Sequence, residues 1–352
     1  MPEGSAPRKR QWGSEKRLTP LSILHHRPST LKIAVSRAAI VLTVIFWSVY
    51  IVDTVIRQFF DGPHTFQFTS QAVSYVIVVS FLTYSALMYL LARQGAFQRF
   101  RSHIRVPRAE LESHFNKKQS SLTVLIPSYD EEISAIRKTI ISALIQEYPK
   151  KHVVLLVDDK PNQPTLAGKQ KLTKTRKIGV EIMRDFSEPR KRFSLVKNSA
   201  AIEKLPRKER QEAIASEYRW AVTWLQNFAT NEVVEDHVDT FFVEQVLRSL
   251  AEDLALTAKA LETSILSNEF LSIDRLQELY QRLRWIFNGT VDVFERKIFA
   301  SLSQEANKAM NLNSYIGLMG KSYRVRSTPD GGVLIPLEDP AKPDITVPDG
   351  DF

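Results

Sequence analysis

The sequence predicts an α/β domain carried behind two membrane-spanning helices, and three segments carry that expectation. Leu122 to Ile126 is an apolar strand broken by Pro127-Ser128-Tyr129-Asp130-Glu131-Glu132, and Val153 to Val157 is a second strand ending in Asp158-Asp159. Between them, Ile133, Ile136, Ile140, Ile141 and Leu144 recur at helical spacing, with Pro149 closing the turn. Such a strand-helix-strand unit sets polar and acidic side chains at the carboxyl ends of neighbouring parallel strands, where open α/β sheets bind ligands. Ahead of it, Ala38 to Ile56 is a run of 19 residues whose only charge is Asp53, and Ala72 to Ala92 is a run of 21 with no charge. Each is long enough to cross a hydrocarbon core of roughly 30 Å, and soluble core helices rarely lack charge over such lengths. The 37 mostly polar residues ahead of the first run do not fit a cleaved signal peptide.

Charge predicts the orientation. Residues 1–37 hold eight Lys/Arg against two acids, residues 93–118 hold seven against two, and residues 57–71 hold one of each sign. The positive-inside rule then puts both flanks and the following domain in the cytoplasm of an inner cell membrane, with only a short loop outside. The two flanks carry +11 together, so the formal +9 of the chain leaves about −2 for everything else. The basic balance therefore belongs to membrane topology, and a nucleic-acid partner, which needs a basic face on the folded domain, is not expected. Anionic membrane lipids are the expected partner of these arms. Asp53, four residues before Arg57, reads as half of an interfacial ion pair.

Four regions follow: a basic arm over 1–37, two spans with their loop over 38–92, a basic interfacial connector over 93–120, and the domain over 121–352. In the connector Phe97, Phe100 and Ile104 alternate with Arg93, Arg99, Arg101 and Arg105. After Asp159 comes a turn-rich exit, then an exposed Lys-rich stretch to about 177; Ile178 to Met183 fits a helix or a strand. Residues from about 206 to 300 read as a helical insertion: Val243, Val246, Leu247, Leu250, Leu254, Ala258 and Leu261 keep helical spacing, and Leu276 to Phe287 repeat it behind a Ser272 cap. Beyond Tyr323 a hairpin is expected at Asp330-Gly331-Gly332.

The chain has no cysteine, which excludes disulfides, thiolate metal sites and cysteine nucleophiles. Its seven His are scattered apart from His25-His26, so no metal site with paired His spacing can be drawn. Asn288-Gly289-Thr290 matches a glycosylation sequon that a cytoplasmic domain would leave unused.

Leu125-Ile126-Pro127-Ser128-Tyr129-Asp130-Glu131-Glu132, followed by Val157-Asp158-Asp159, resembles the opening of inverting glycosyltransferase family 2 domains, the family of cellulose, chitin and hyaluronan synthases. Asp130 stands where that family usually has Asn, and Lys160-Pro161 follow the acidic pair where small residues are commoner. Lys308-Ala309-Met310-Asn311-Leu312-Asn313 is similar to the family's Lys-Ala-Gly-Asn-Leu-Asn segment, with Met for Gly, and comes in the family's order. The resemblance implies an incomplete GT-A (Rossmann-like) domain with a long helical insertion. It also implies a UDP-sugar site in which Ser128, Tyr129 and Glu131 line the base and ribose side, Asp158 or Asp159 accepts from uracil and ribose, and Lys308 faces the diphosphate. Asn313 joins this set, since Asn side chains hold turns or meet nucleotides.

Family members also need an Asp-x-Asp for Mg²⁺ or Mn²⁺, a carboxylate base in Thr-Glu-Asp, and Gln-x-x-Arg-Trp, all after the Lys-Ala-x-Asn-Leu-Asn segment. Gln281-Arg282-Leu283-Arg284-Trp285 comes too early and sits in a helical stripe, Leu337-Glu338-Asp339 matches only in part, and Asp349-Gly350-Asp351 follows a poor strand, Ile345-Thr346-Val347-Pro348. Asp351-Phe352 reads better as the start of that strand, so the expectation is the N-terminal portion of a longer synthase, inactive alone, with no catalytic residue assigned and no metal held by the motifs present. The expected partners are a UDP-sugar donor, a glycan or lipid-linked acceptor and membrane lipids. A non-catalytic membrane scaffold with a vestigial pocket, and a transferase of one sugar to a lipid carrier, stay open as alternatives.

Overall fold

The computed structural model describes residues 27–63, 65–103, 108–117, 120–194, 204–337 and 342–350. His25-His26, Ile104, Arg105, Glu338, Asp339, Asp351 and Phe352 lie outside them. The chain divides into two units, over residues 22–108 and, for the described part of the other, from Ala109 onwards.

In the first unit α1 (Thr30–Tyr50) starts at Ser29, whose side chain accepts from Lys32 N, and runs through a π-helical turn (Ile51–Ile56) into α2 (Arg57–Asp61). The second helix, α3 (Phe66–Ser102), is capped by Thr65. Thr30–Asp53 and Phe66–Ser102 are long and apolar enough to cross a membrane. The Tyr50 and Tyr75 hydroxyls meet at 2.5 Å, joining the two helices, and Asp53 pairs with Arg57 at 3.2 Å as the i, i+4 spacing predicts. One expectation needs correcting. Residues 93–102 are no separate connector but the last turns of α3, because Leu-, Ala- and Arg-rich sequence with no Pro up to Pro107 gives the helix no reason to stop.

The second unit is mixed α/β. After α4 (Arg108–Lys117), β1 (Ser121–Ser128), α5 (Ile133–Leu144) and β2 (Lys150–Val157) form the expected parallel unit. β1 starts one residue before Leu122 and runs two past Ile126, so it includes Pro127. A proline is tolerated there because β1 lies at the sheet edge, in the order β1-β2-β3. α6 (Leu166–Asp185) and α7 (Ser187–Ser194) follow; the Lys-rich stretch and Ile178–Met183 are thus one helix. Leu172, Thr175, Ile178, Gly179 and Ile182 form its buried face, and most of its lysines lie on the other.

The insertion comprises α8 (Arg207–Thr230), α9 (His237–Phe241), a π-helical turn (Phe242–Arg248), α10 (Ser249–Leu266) and α11 (Ile273–Phe287), the last capped by Ser272 as expected. It ends sooner than residue 300, because Thr290–Glu295 is β3, the third parallel strand, paired with β2. Gly289 makes this entry possible: a Cβ there would lie 2.6 Å from Leu144 Cδ1 and 2.8 Å from Lys151 Cε. Gln281–Trp285 packs within α11, where buried Arg282 bonds Glu147, Asp253 and Thr257, so its likeness to an acceptor-site motif is only literal.

A 3₁₀ turn (Arg296–Ile298) leads to α12 (Lys308–Ile316) and an antiparallel sheet of β4 (Lys321–Thr328), β5 (Gly331–Pro336) and β6 (Ile345–Val347), ordered β5-β4-β6. The expected hairpin is present, with Pro329-Asp330 as its loop and Gly331 at φ 129°. Ile345–Val347, a poor strand by composition, nevertheless forms β6, because β4 offers it a free edge.

Period-2 alternation along β2 divides the core. Val153, Leu155 and Val157 face the helical insertion, with Phe186, Phe193 and Phe287. Val154 and Leu156 face Phe294, Tyr315 and the small sheet. At the start of β2, Lys151 is buried and donates to the carbonyls of Gln146 (2.5 Å), Trp285 and Ile286 (3.1 Å). Burial pulls its pKa down to about 7, against the opposing pull of the nearby Glu147 carboxylate. Between about pH 7 and the ordinary lysine value near 10.4 the unfolded chain holds one proton more, so stability rises with pH across that window. Thermal unfolding of the full chain in detergent should therefore occur at higher temperature at pH 9 than at pH 7, and Lys151→Met should abolish the difference; an equal rise in the variant would contradict this assignment.

Candidate functional site

The carboxyl ends of β1 and β2 open side by side. Leaving β1, Asp130 takes a left-handed conformation (φ 49°), which Asp and Asn tolerate better than other side-chain-bearing residues. That preference gives a physical reason for one of those two at this position. The turn is tied down twice: Asp130 N donates to Asp159 Oδ1 at 3.3 Å, and Lys171 of α6 donates to the Asp130 carbonyl (2.7 Å) and carboxylate (2.5 Å).

Asp158, at the end of β2, is buried against two cations. Arg296 Nε lies 2.7 Å from Asp158 Oδ1 and Lys297 Nζ 3.3 Å from it, while Lys297 also donates to the Asp158 carbonyl at 2.5 Å. Arg296 is 0% exposed and turns its remaining N–H groups onto the carbonyls of Ser303 and Glu305. It therefore binds the end of β2 to the loop that enters α12. There Asn307 caps the helix, accepting from Ala309 N at 2.9 Å. Lys308, the first helical residue, is exposed and makes no ion pair among the described residues. One turn on, Asn311 Nδ2 donates to the Leu156 carbonyl at 3.0 Å, locking α12 onto β2.

Between these walls is a cavity of about 280 Å³, lined by Pro127, Ser128, Tyr129, Glu131, Asp158 and the segment Ala306, Asn307, Lys308 and Asn311. Ser128, Tyr129, Glu131, Asp158 and Lys308, all expected from sequence, share it. Tyr129 is 59% exposed, with Lys297 Nζ 5.7 Å from its ring centre. Asp159 faces a small adjoining crevice with Asp130, Gln163 and Lys171, where burial pushes its carboxyl pKa up against the pull of the Asp130 N–H and both lysines. Asn313 lies outside both, exposed on α12 with its carbonyl accepting from Gly317 N.

Arg296, Lys297, Asn307 and Asn311 were not expected. The two cations sit immediately past β3, which composition hides inside a helical block. Asn311 had a usable signal: three residues after Lys308 it shares that residue's helix face, whereas Asn313 does not. Among the described residues no group of three His, Asp or Glu could hold a metal, and Asp158 is already committed to two cations.

Comparison with protein-family models, curated proteins and solved structures gives no match for this chain.

Removing Arg296 would leave buried Asp158 with Lys297 as its one remaining cation and free the Ser303 and Glu305 carbonyls. Arg296→Met should lower stability by about 3–5 kcal/mol, the usual cost of breaking one half of a buried pair, and adding Asp158→Leu should recover part of it. Denaturant unfolding of the two variants checks this; a near-neutral single variant would mean the pair does not organise the site.

Proposed function

We propose that this pocket binds the nucleotide of a UDP-sugar and that the chain serves a membrane-bound inverting glycosyltransferase of GT-A type, acting in polysaccharide synthesis. The observation that carries the proposal is the meeting of residues 127–129, 131, 158, 306–308 and 311 in one cavity at the carboxyl ends of parallel strands. Each wall suits a part of the ligand. The exposed Tyr129 ring offers a face for a base, and Lys308 is a cation with no ion-pair partner among the described residues, placed for a diphosphate beside the N–H groups at the start of α12. The two apolar helices agree with work at a membrane, and the basic flanks with a cytoplasmic domain.

The chemistry follows from the donor. An acceptor hydroxyl attacks the anomeric carbon as the bond to UDP oxygen breaks, inverting that centre, while a carboxylate takes the hydroxyl proton. Charge gathering on the departing UDP is met by Lys308. A divalent metal would add to that neutralisation, but the donors described here do not fit one and no step is assigned to it; the base is likewise assigned to no residue of this chain. The acceptor is a glycan or a lipid-linked sugar. A second reading, a non-catalytic membrane scaffold retaining the pocket, is favoured by one observation: Asp158 is occupied by Arg296 and Lys297 rather than left for a ligand.

Isothermal titration of the full chain in detergent tests the pocket. UDP should bind saturably, and Lys308→Ala should weaken it roughly 10-fold, the loss of one charge-assisted contact, while uridine binding stays within about twofold. Absence of saturable UDP binding, or equal losses for UDP and uridine, would contradict the proposal.

A further inference from the structure

Two buried polar atoms in the pocket have no hydrogen-bond partner among the described residues. Asn311 is 1% exposed, and its Nδ2 donates to the Leu156 carbonyl at 3.0 Å. A carbonyl only accepts, so this bond fixes the amide orientation and leaves Oδ1, which has no partner, as a free acceptor. Ser128 Oγ, on a residue 4% exposed, has no partner either. Both residues line the same cavity. A buried acceptor left unbonded destabilises the empty site, and a ligand bringing the matching donor recovers that loss.

At the same depth Asp158 Oδ1 takes Arg296 and Lys297, so its charge is already matched, and Asn311 Oδ1 is the neutral buried acceptor with no partner among the described residues. We infer that Asn311 Oδ1 reads the imide N–H of a uracil base, with the Ser128 hydroxyl donating to a neighbouring base carbonyl, so that the pocket selects uridine over cytidine diphosphates. The inference rests on the nucleotide reading of the pocket and assigns its base specificity. Uracil offers acceptor, donor, acceptor along that edge, complementary to a hydroxyl beside a free amide oxygen. Cytosine puts an unprotonated ring nitrogen where uracil has N–H, setting acceptor against acceptor. A site that hydrogen-bonds one group rejects an analogue lacking it far more strongly than an apolar pocket rejects a missing methylene.

Titration of the full chain in detergent with UDP and with CDP, which share the ribose and diphosphate, separates base recognition from anion binding. Wild type should bind CDP at least about 10-fold more weakly than UDP, equivalent to one unmade buried hydrogen bond. Asn311→Leu, close in size, should lose about 10-fold for UDP and leave CDP within about twofold, so the preference collapses, while inorganic pyrophosphate binding persists as the sign of an intact pocket. Equal affinity of the wild type for UDP and CDP, with saturable binding of both, would overturn the base assignment and spare the pocket. A preference retained in Asn311→Leu would do the same. Binding of neither nucleotide would overturn the pocket reading and this inference with it. If Asn311→Leu also lost pyrophosphate, the wild-type ratio alone would decide.

Discussion

One buried guanidinium ties the pocket together. Arg296 has no exposed surface and spends its N–H groups on Asp158 Oδ1 and on the carbonyls of Ser303 and Glu305, joining the end of β2 to the entry of α12. Taking two charges out of water costs several kcal/mol per ion, and the pair recovers this only because so many of its hydrogen-bonding groups are matched. Such a pair contributes little net stability over apolar residues of the same volume; what it supplies is geometry. Lys297 adds a second cation at the same Asp158 oxygen while lying near the face of Tyr129, so one carboxylate ties together the end of β2, the entry to α12 and the Tyr129 side of the cavity.

The sheet makes that geometry available. β2 lies between β1 and β3 with apolar side chains packed on both faces, so its carboxyl end is fixed by two cores at once. The helical insertion covers one face and α12 with the small antiparallel sheet covers the other. The pocket opens where these layers meet the strand ends, as expected for ligands of open α/β sheets. Asn311 belongs to both roles: its amide nitrogen holds α12 against Leu156 while its oxygen is left for whatever enters.

What could be read in the sequence was what depends on near neighbours. β1, α5 and β2 announce themselves by apolar runs and spacing, Ser272 by its place before a helical stripe, and the hairpin by Asp330-Gly331-Gly332. β3 was missed because Thr290 to Glu295 is short, mixed with acids and enters directly from a helix, so only its pairing with β2 makes it a strand. The α6 helix was half-read because its lysines mask the buried face that Leu172, Ile178 and Ile182 present. Arg296 was invisible for a different reason: its partners lie 138 residues back and seven to nine residues ahead, and nothing in the local pattern distinguishes it from a surface arginine. Asn311, not Asn313, lines the cavity, and helix geometry gives the reason. Five residues of helix turn a side chain roughly 140° from Lys308, whereas three keep it on the same face.

Everything proposed for this chain depends on the strand ends and the start of α12 forming one cleft that accepts a uridine nucleotide. Photolabelling of the full chain in detergent with 5-azido-UDP, followed by peptide mapping, tests that most directly. Labelled peptides should contain residues 127–131 and 306–311, and unlabelled UDP should protect both. Label confined to other segments, or label that excess UDP does not displace, would contradict the convergence on which the function rests.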